Sequence, residues 1–192
     1  MYRMSQLTLV APPSLTSKLD MYRCMKMCLI HDMAESLVGD ITPVDNVPKA
    51  EKARREAATM EYIAHRLLGN VHNGDPGRHI SEIWQEYEDS KTPESVFVHD
   101  LDKLELLLQM VEYERRVAAK GDGELLDLGE FAYVKTKIRN PEIIKWADEV
   151  LAEREALWGQ KKHIRGEFDF EDEEESVSPV IKKQQDDYYA DA

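Results

Sequence analysis

The sequence predicts an all-α fold, on three observations. No stretch alternates apolar and polar residues over β-branched side chains, as a half-buried strand would. Apolar residues recur instead at helical spacing in several long segments. Those segments are bounded by N-cap, proline and glycine signals. A chain of 192 residues suits one domain plus a tail and is long enough to bury a core. The expected division is a domain over 1–158 and an acidic tail over 159–192.

In chain order, residues 1–10 read as the end of a helix already under way, because no capping residue precedes them and Ala11-Pro12-Pro13-Ser14 then breaks it. Asp20 is a plausible N-cap for a helix over 21–38 that stops at Gly39. Pro43 and Pro48 keep 41–47 extended. A charged amphipathic helix then runs to about 68, with Glu51, Lys52, Arg54, Arg55 and Glu56 outward and Ala57, Met60, Ile63 and Leu67 inward. Turn chemistry makes 69–77 a loop, and a short helix follows over 80–88 with Ile83, Trp84 and Tyr87. Lys91-Thr92-Pro93 opens a long helix to about 119, closed by Gly121-Asp122-Gly123. Two more helices are expected over 128–138 and 141–158, the second capped by Asn140 with Pro141 in its first position. Beyond Gly159 the run EFDFEDEEE and the Gln/Asp/Tyr-rich end read as disordered or peripheral.

The charge distribution narrows the partners. The formal net charge is −13, and from Glu167 onward ten acids face only Lys182 and Lys183. A nucleic-acid polymer is a poor partner for such a chain, because phosphate backbones call for clustered basic surface. A small phosphorylated ligand fits, since a metal ion supplies positive charge locally. No apolar run approaches the ~20 residues of a membrane span. The N-terminus is too weakly patterned for a secretory signal. Two cysteines make no disulfide framework, and an intracellular setting, cytoplasmic or nuclear, fits best.

The candidate chemistry lies in HDMAESLVGDITPVD, residues 31–45, which places one imidazole and four carboxylates directly after an apolar run. Ionised groups on a buried stripe are costly unless paired or bound to a metal. A bare His-Asp pair is weak, since His99-Asp100 repeats it. The context of His31 and Asp32 is stronger: imidazole plus carboxylates suit Mn, Fe, Co, Zn or Mg, and Glu35 lies one turn beyond His31, placed to address water. The bland alternative is a buried ion-pair cluster with no metal. A further ligand from the long helix has two candidates, Asp100 beside the apolar stripe and Asp102 on a second face, and helical spacing does not choose Asp102. Cys24 and Cys28 read as core thiols rather than a thiolate metal site, for want of a fourth soft ligand. Trp84, Tyr87 and Trp146 read as core or interface aromatics.

HDMAESLVGDITPVDNVPKAEK, WQEYE and LDKLELLLQMVEYE together resemble the HD-domain superfamily, specifically its small metal-dependent 5′-deoxynucleotidase branch, over roughly residues 1–158. The resemblance implies an all-α HD-domain helical bundle, a homodimer, and release of phosphate from deoxyribonucleoside 5′-monophosphates. It implies that His31, Asp32 and Asp102 bind a divalent metal. Glu35 and Asp40 match acidic residues used in catalysis or around a second cation, with the carbonyl of Ile41 beside them. Thr42 and Pro43 either line the nucleotide pocket or shape the turn. In the family a histidine that is the first metal ligand directly precedes MYRM, behind an Arg/Trp-containing segment that contacts the nucleotide, whereas this sequence begins at MYRM. Three explanations stay open: a late start, a site completed by water or a partner chain, or impaired activity. The rival readings are a non-catalytic HD-like scaffold or dimerisation module, and an HD hydrolase of another nucleotide.

Overall fold

The structure is a computed structural model that describes residues 1–42, 45–120 and 125–166. Pro43, the glycine-rich closure at 121–123 and the acidic tail from 167 lie outside the described residues. Among the described residues every regular element is helical, as expected. The described residues divide into two compact units, one over 1–99 and one from 100 onward.

The first unit begins with α1 (Tyr2–Leu9), the short α2 (Pro13–Thr16) and α3 (Met21–Ile30). Asp20 caps α3 as expected, its carboxylate accepting from the Arg23 amide at 3.0 Å. α1 packs on α3, and Met4, Cys24, Met27 and Cys28 are fully buried. The helix expected over 21–38 is in fact interrupted. α3 stops at Ile30, residues 31–34 form turns, and α4 (Glu35–Val38) resumes until Gly39, whose φ of +78° ends it. Apolar periodicity continues across this break, which is why spacing alone did not reveal it.

α5 (Lys49–Glu61) leads into a π-helical stretch, Tyr62–Leu67. Its inward face differs from the expected one: Glu56, Thr59, Met60, Ile63 and Ala64 are buried, while Ala57 and Leu67 are exposed. The π stretch is matched by a close approach of α6 (Asp75–Asp89), where a Cβ on Gly77 would lie 2.3 Å from the Ala64 carbonyl oxygen. α6 also starts five residues earlier than the short helix expected over 80–88, because Gly74 in the left-handed region and Pro76 in the first turn launch it. α6 packs on α3 and on the π stretch. Arg23 on α3 pairs with Glu86 on α6, which also accepts from the Thr92 hydroxyl at 2.6 Å.

α7 (Pro93–Ala118) supplies its first turns to the first unit and the remainder to the second. The second unit adds a 3₁₀ stretch (Gly129–Lys137), where an α-helix was expected, and α8 (Pro141–Trp158), which has the predicted bounds. Asn140 caps α8 by accepting from the Glu142 amide at 2.9 Å. The unit is centred on a buried ion pair between Glu114 and Arg154, which are 2% and 1% exposed. Arg154 donates to both Glu114 oxygens, to Asp127 Oδ1 at 2.7 Å and to the Ile164 carbonyl at 2.6 Å, while the Trp158 indole donates to Glu114 Oε2 at 2.9 Å.

Candidate active site

His31 is the C-terminal cap of α3, at the first residue of the interruption, and is 3% exposed. Its Nδ1 lies 3.1 Å from the Cys28 carbonyl, which accepts an N–H there and leaves the lone pair on Nε2. Nε2 stands 2.9 Å from Asp32 Oδ2. Two electron-rich atoms at that distance call for a proton or a metal cation between them. Two ligands at right angles on one six-coordinate ion, each at roughly 2.1 Å, stand about 3 Å apart. The His31–Asp32 pair therefore fits a divalent cation in both donor type and spacing.

The ring of His31 is held from behind. Tyr87 on α6 packs against it at 4.9 Å between centroids, and His99 on α7 stacks on Tyr87 at 3.9 Å. His99 Nε2 is anchored 3.0 Å from the Tyr87 carbonyl and 2.6 Å from the Ser90 hydroxyl. The second His-Asp pair is thus taken up by packing. Its other member, Asp100, is 1% exposed and accepts from the Asn140 and Arg139 amides at 2.7 and 3.1 Å, fixing the start of α8 in the second unit.

Glu35 opens α4, and the interruption at 31–34 sets it among other acids. Burial, then the charges of Asp32 and Asp40, push its carboxyl up to about 7, with Lys52 opposing and Glu56 adding to the rise. Such a group exchanges a proton near neutral pH. Asp40 is exposed at the rim. The Ile41 carbonyl accepts from the Lys52 ammonium at 3.1 Å. Thr42 donates its amide and its hydroxyl to Asp45 Oδ2, both at 2.7 Å, so in this structure it closes a turn. Asp102 is half-buried on α7 in the second unit. Among the described residues no three His, Cys, Asp or Glu side chains converge as a ready metal cluster.

Three residues that sequence reasoning left without a role also face this cluster. Glu56 is buried and its acid is raised, by burial first, against the opposing charge of Lys52. Glu88 is pushed up to about 7 by the protein packed around its carboxyl and by Glu56, against Lys52 and His31, although its open surface lets solvent screen part of that effect. Lys52 has only 15% of its side chain exposed. The signal was present: Lys52 ends the long first motif, and Tyr87 and Glu88 lie within WQEYE. The interior thiols are structural, as expected, with Cys24 pushed up to about 12, chiefly by burial. No described helix is long and apolar enough to cross a membrane.

Residues 1–143 match the HD domain family. The chain belongs to that family. Similar proteins include the 5′-deoxynucleotidase hdd1 of Schizosaccharomyces pombe, 43% identical over 84% of this chain and 79% of that protein. The human 5′-deoxynucleotidase HDDC2 is 38% identical over 80% of this chain and 70% of that protein. Among solved structures, the HD domain-containing protein YGK1 superposes with a TM-score of 0.61 at 29% identity, covering 82% of this chain and 76% of that one. The all-α architecture expected from the sequence is the HD-domain one.

Proposed function

We propose that this HD-domain protein is a divalent-metal-dependent phosphohydrolase that releases phosphate from deoxyribonucleoside 5′-monophosphates. The observation that carries the reading is the His31–Asp32 donor pair with Glu35 raised to about 7 beside it, in a chain 43% identical to a 5′-deoxynucleotidase. His31 and Asp32 would hold the ion, and Asp102 joins them on its match to the family's distant aspartate in LDKLELLLQ. Glu35 and Asp40, with the Ile41 carbonyl, form the secondary acidic group, and Thr42 and Pro43 border the nucleotide. The same reading carries a homodimer, a domain over 1–158 with an acidic tail, and an intracellular setting, cytoplasmic or nuclear.

A bound divalent ion supplies charge stabilisation to a phosphoryl group and acidifies water, which suits a reaction that is extremely slow uncatalysed. The chain's own residues do the rest. The Cys28 carbonyl fixes the His31 tautomer, and Tyr87 fixes the ring plane. Glu35, poised between its protonated and ionised forms, orients the attacking water and takes its proton. The test is phosphate release by the full-length protein from each deoxyribonucleoside monophosphate with Mn²⁺, Co²⁺ or Mg²⁺. Turnover that H31A and D32N abolish supports the reading. Stoichiometric ion binding with no phosphate released from any nucleotide overturns it in favour of a scaffold, and turnover confined to cyclic or bis-phosphorylated nucleotides overturns the substrate class.

A further inference from the structure

The histidine of the second His-Asp pair, to which the proposed reaction gives no part, is joined to the first pair by a column of rings. His99 stacks on Tyr87 with 28° between ring planes, and Tyr87 meets His31 at 55°. His99 grips Tyr87 at two points. Its ring covers the Tyr87 ring, and its Nε2 lies 3.0 Å from the Tyr87 backbone carbonyl, an acceptor that places the proton on that nitrogen. The Ser90 hydroxyl, 2.6 Å from the same nitrogen, belongs to a residue at φ +51°, a left-handed conformation that a serine adopts only when its surroundings hold it there. Ser90 ends α6. His99 thus fixes both the ring of Tyr87 and the turn of backbone that carries it.

The consequence falls on His31. The contact of its Nδ1 with the Cys28 carbonyl holds one ring atom, about which the imidazole can still tilt. Tyr87 limits that tilt only as firmly as Tyr87 itself is held. The tilt sets the direction of the Nε2 lone pair, and outer contacts that orient a ligating imidazole are worth roughly 10- to 100-fold in metal affinity. We infer that His99 is a positioning residue for the metal-binding His31, acting through the ring of Tyr87. The inference rests on the reading of His31 and Asp32 as the metal site.

Two substitutions divide the roles of His99. H99F keeps a ring against Tyr87 and gives up the hydrogen bonds, whereas H99Q keeps a donor for the Tyr87 carbonyl and gives up the ring. Each is compared with the wild type, as full-length protein, for Mn²⁺ affinity by calorimetry and for the visible absorption of bound Co²⁺, which reports ligand geometry. Thermal melts fix a temperature at which all are folded, and H99L replaces H99Q should H99Q melt early. H99Q is expected to bind Mn²⁺ at least about tenfold more weakly with an altered Co²⁺ spectrum, and H99F to recover most of that loss. An H99Q isotherm and spectrum that superimpose on the wild type overturn the inference, as does an H99F weakened as much as H99Q, since the stack would then not be the agent. If an ion sensitive to H31A binds and is indifferent to H99Q, the inference alone fails. If the wild type binds no Mn²⁺ sensitive to H31A, the metal reading of the site fails and the inference with it.

Discussion

Glu35 owes its chemistry to its neighbours. An isolated glutamate is fully ionised at pH 7, whereas this one is held at about 7 by burial and by Asp32 and Asp40. E35Q is therefore expected to lower kcat by about 10²- to 10⁴-fold while an ion sensitive to H31A still binds, a contrast that calorimetry beside a phosphate assay will show. Arg154 makes the opposite point, because its charge serves only the fold. Removing it strands Glu114 in the interior of the second unit, so R154A should cost about 3–5 kcal/mol in urea unfolding. Pairing R154M with E114L should recover most of that loss, since an apolar pair leaves no charge uncompensated. His31, Asp32 and Glu35 were legible in the sequence because their type and order are diagnostic. Glu56 was not, and Lys52 was marked only by its place at the end of the first motif, because a charged residue on an amphipathic helix reads as solvated until its neighbours are known.

At the scale of elements, caps and prolines marked boundaries well and periodicity marked them poorly. Asp20, Gly39, Asn140 and Pro141 all act where the sequence placed them. The break at 31–34 and the early start of α6 went unseen, because the first hides inside a continuing apolar pattern and the second lies inside a run of turn residues. The π stretch and Gly77 belong together, and a methyl group added at Gly77 must push against the Ala64 backbone. G77A is expected to destabilise the protein by about 1–3 kcal/mol, read from denaturant midpoints. The α3–α6 contact responds to acid. Burial alone would raise the Glu86 carboxyl, but hydrogen bonds from Arg23 and Thr92 and the Arg23 charge outweigh it, leaving the acid below its ordinary 4.5. A depressed acid stabilises the folded state above its unfolded value and surrenders that contribution as pH falls through the folded one. Stability should therefore decline on acidification below about 4.5, and E86Q should flatten the decline when urea midpoints are compared across that range.

For the whole molecule, the net charge of −13 makes local placement of positive charge decisive, since nothing in the overall balance draws in a phosphate ester. That is a reason for a metal-dependent site in an acidic chain. The HD-domain family was legible from three motifs spread over both units, whereas helical spacing did not choose Asp102 over Asp100, and the fold uses Asp100 to fix α8. The buried cysteines add a practical property. Cys24 and Cys28 are sealed in the interior of the first unit, and a thiol at about 12 is ionised at neutral pH in roughly one molecule in 10⁵. Ellman's reagent should therefore leave the native protein untouched on the time of a mixing experiment and titrate two thiols after denaturation. Any slow reaction under native conditions then clocks the opening of the first unit. A cysteine introduced on the surface becomes a selective handle for a fluorophore or spin label, with no need to remove the two that nature left.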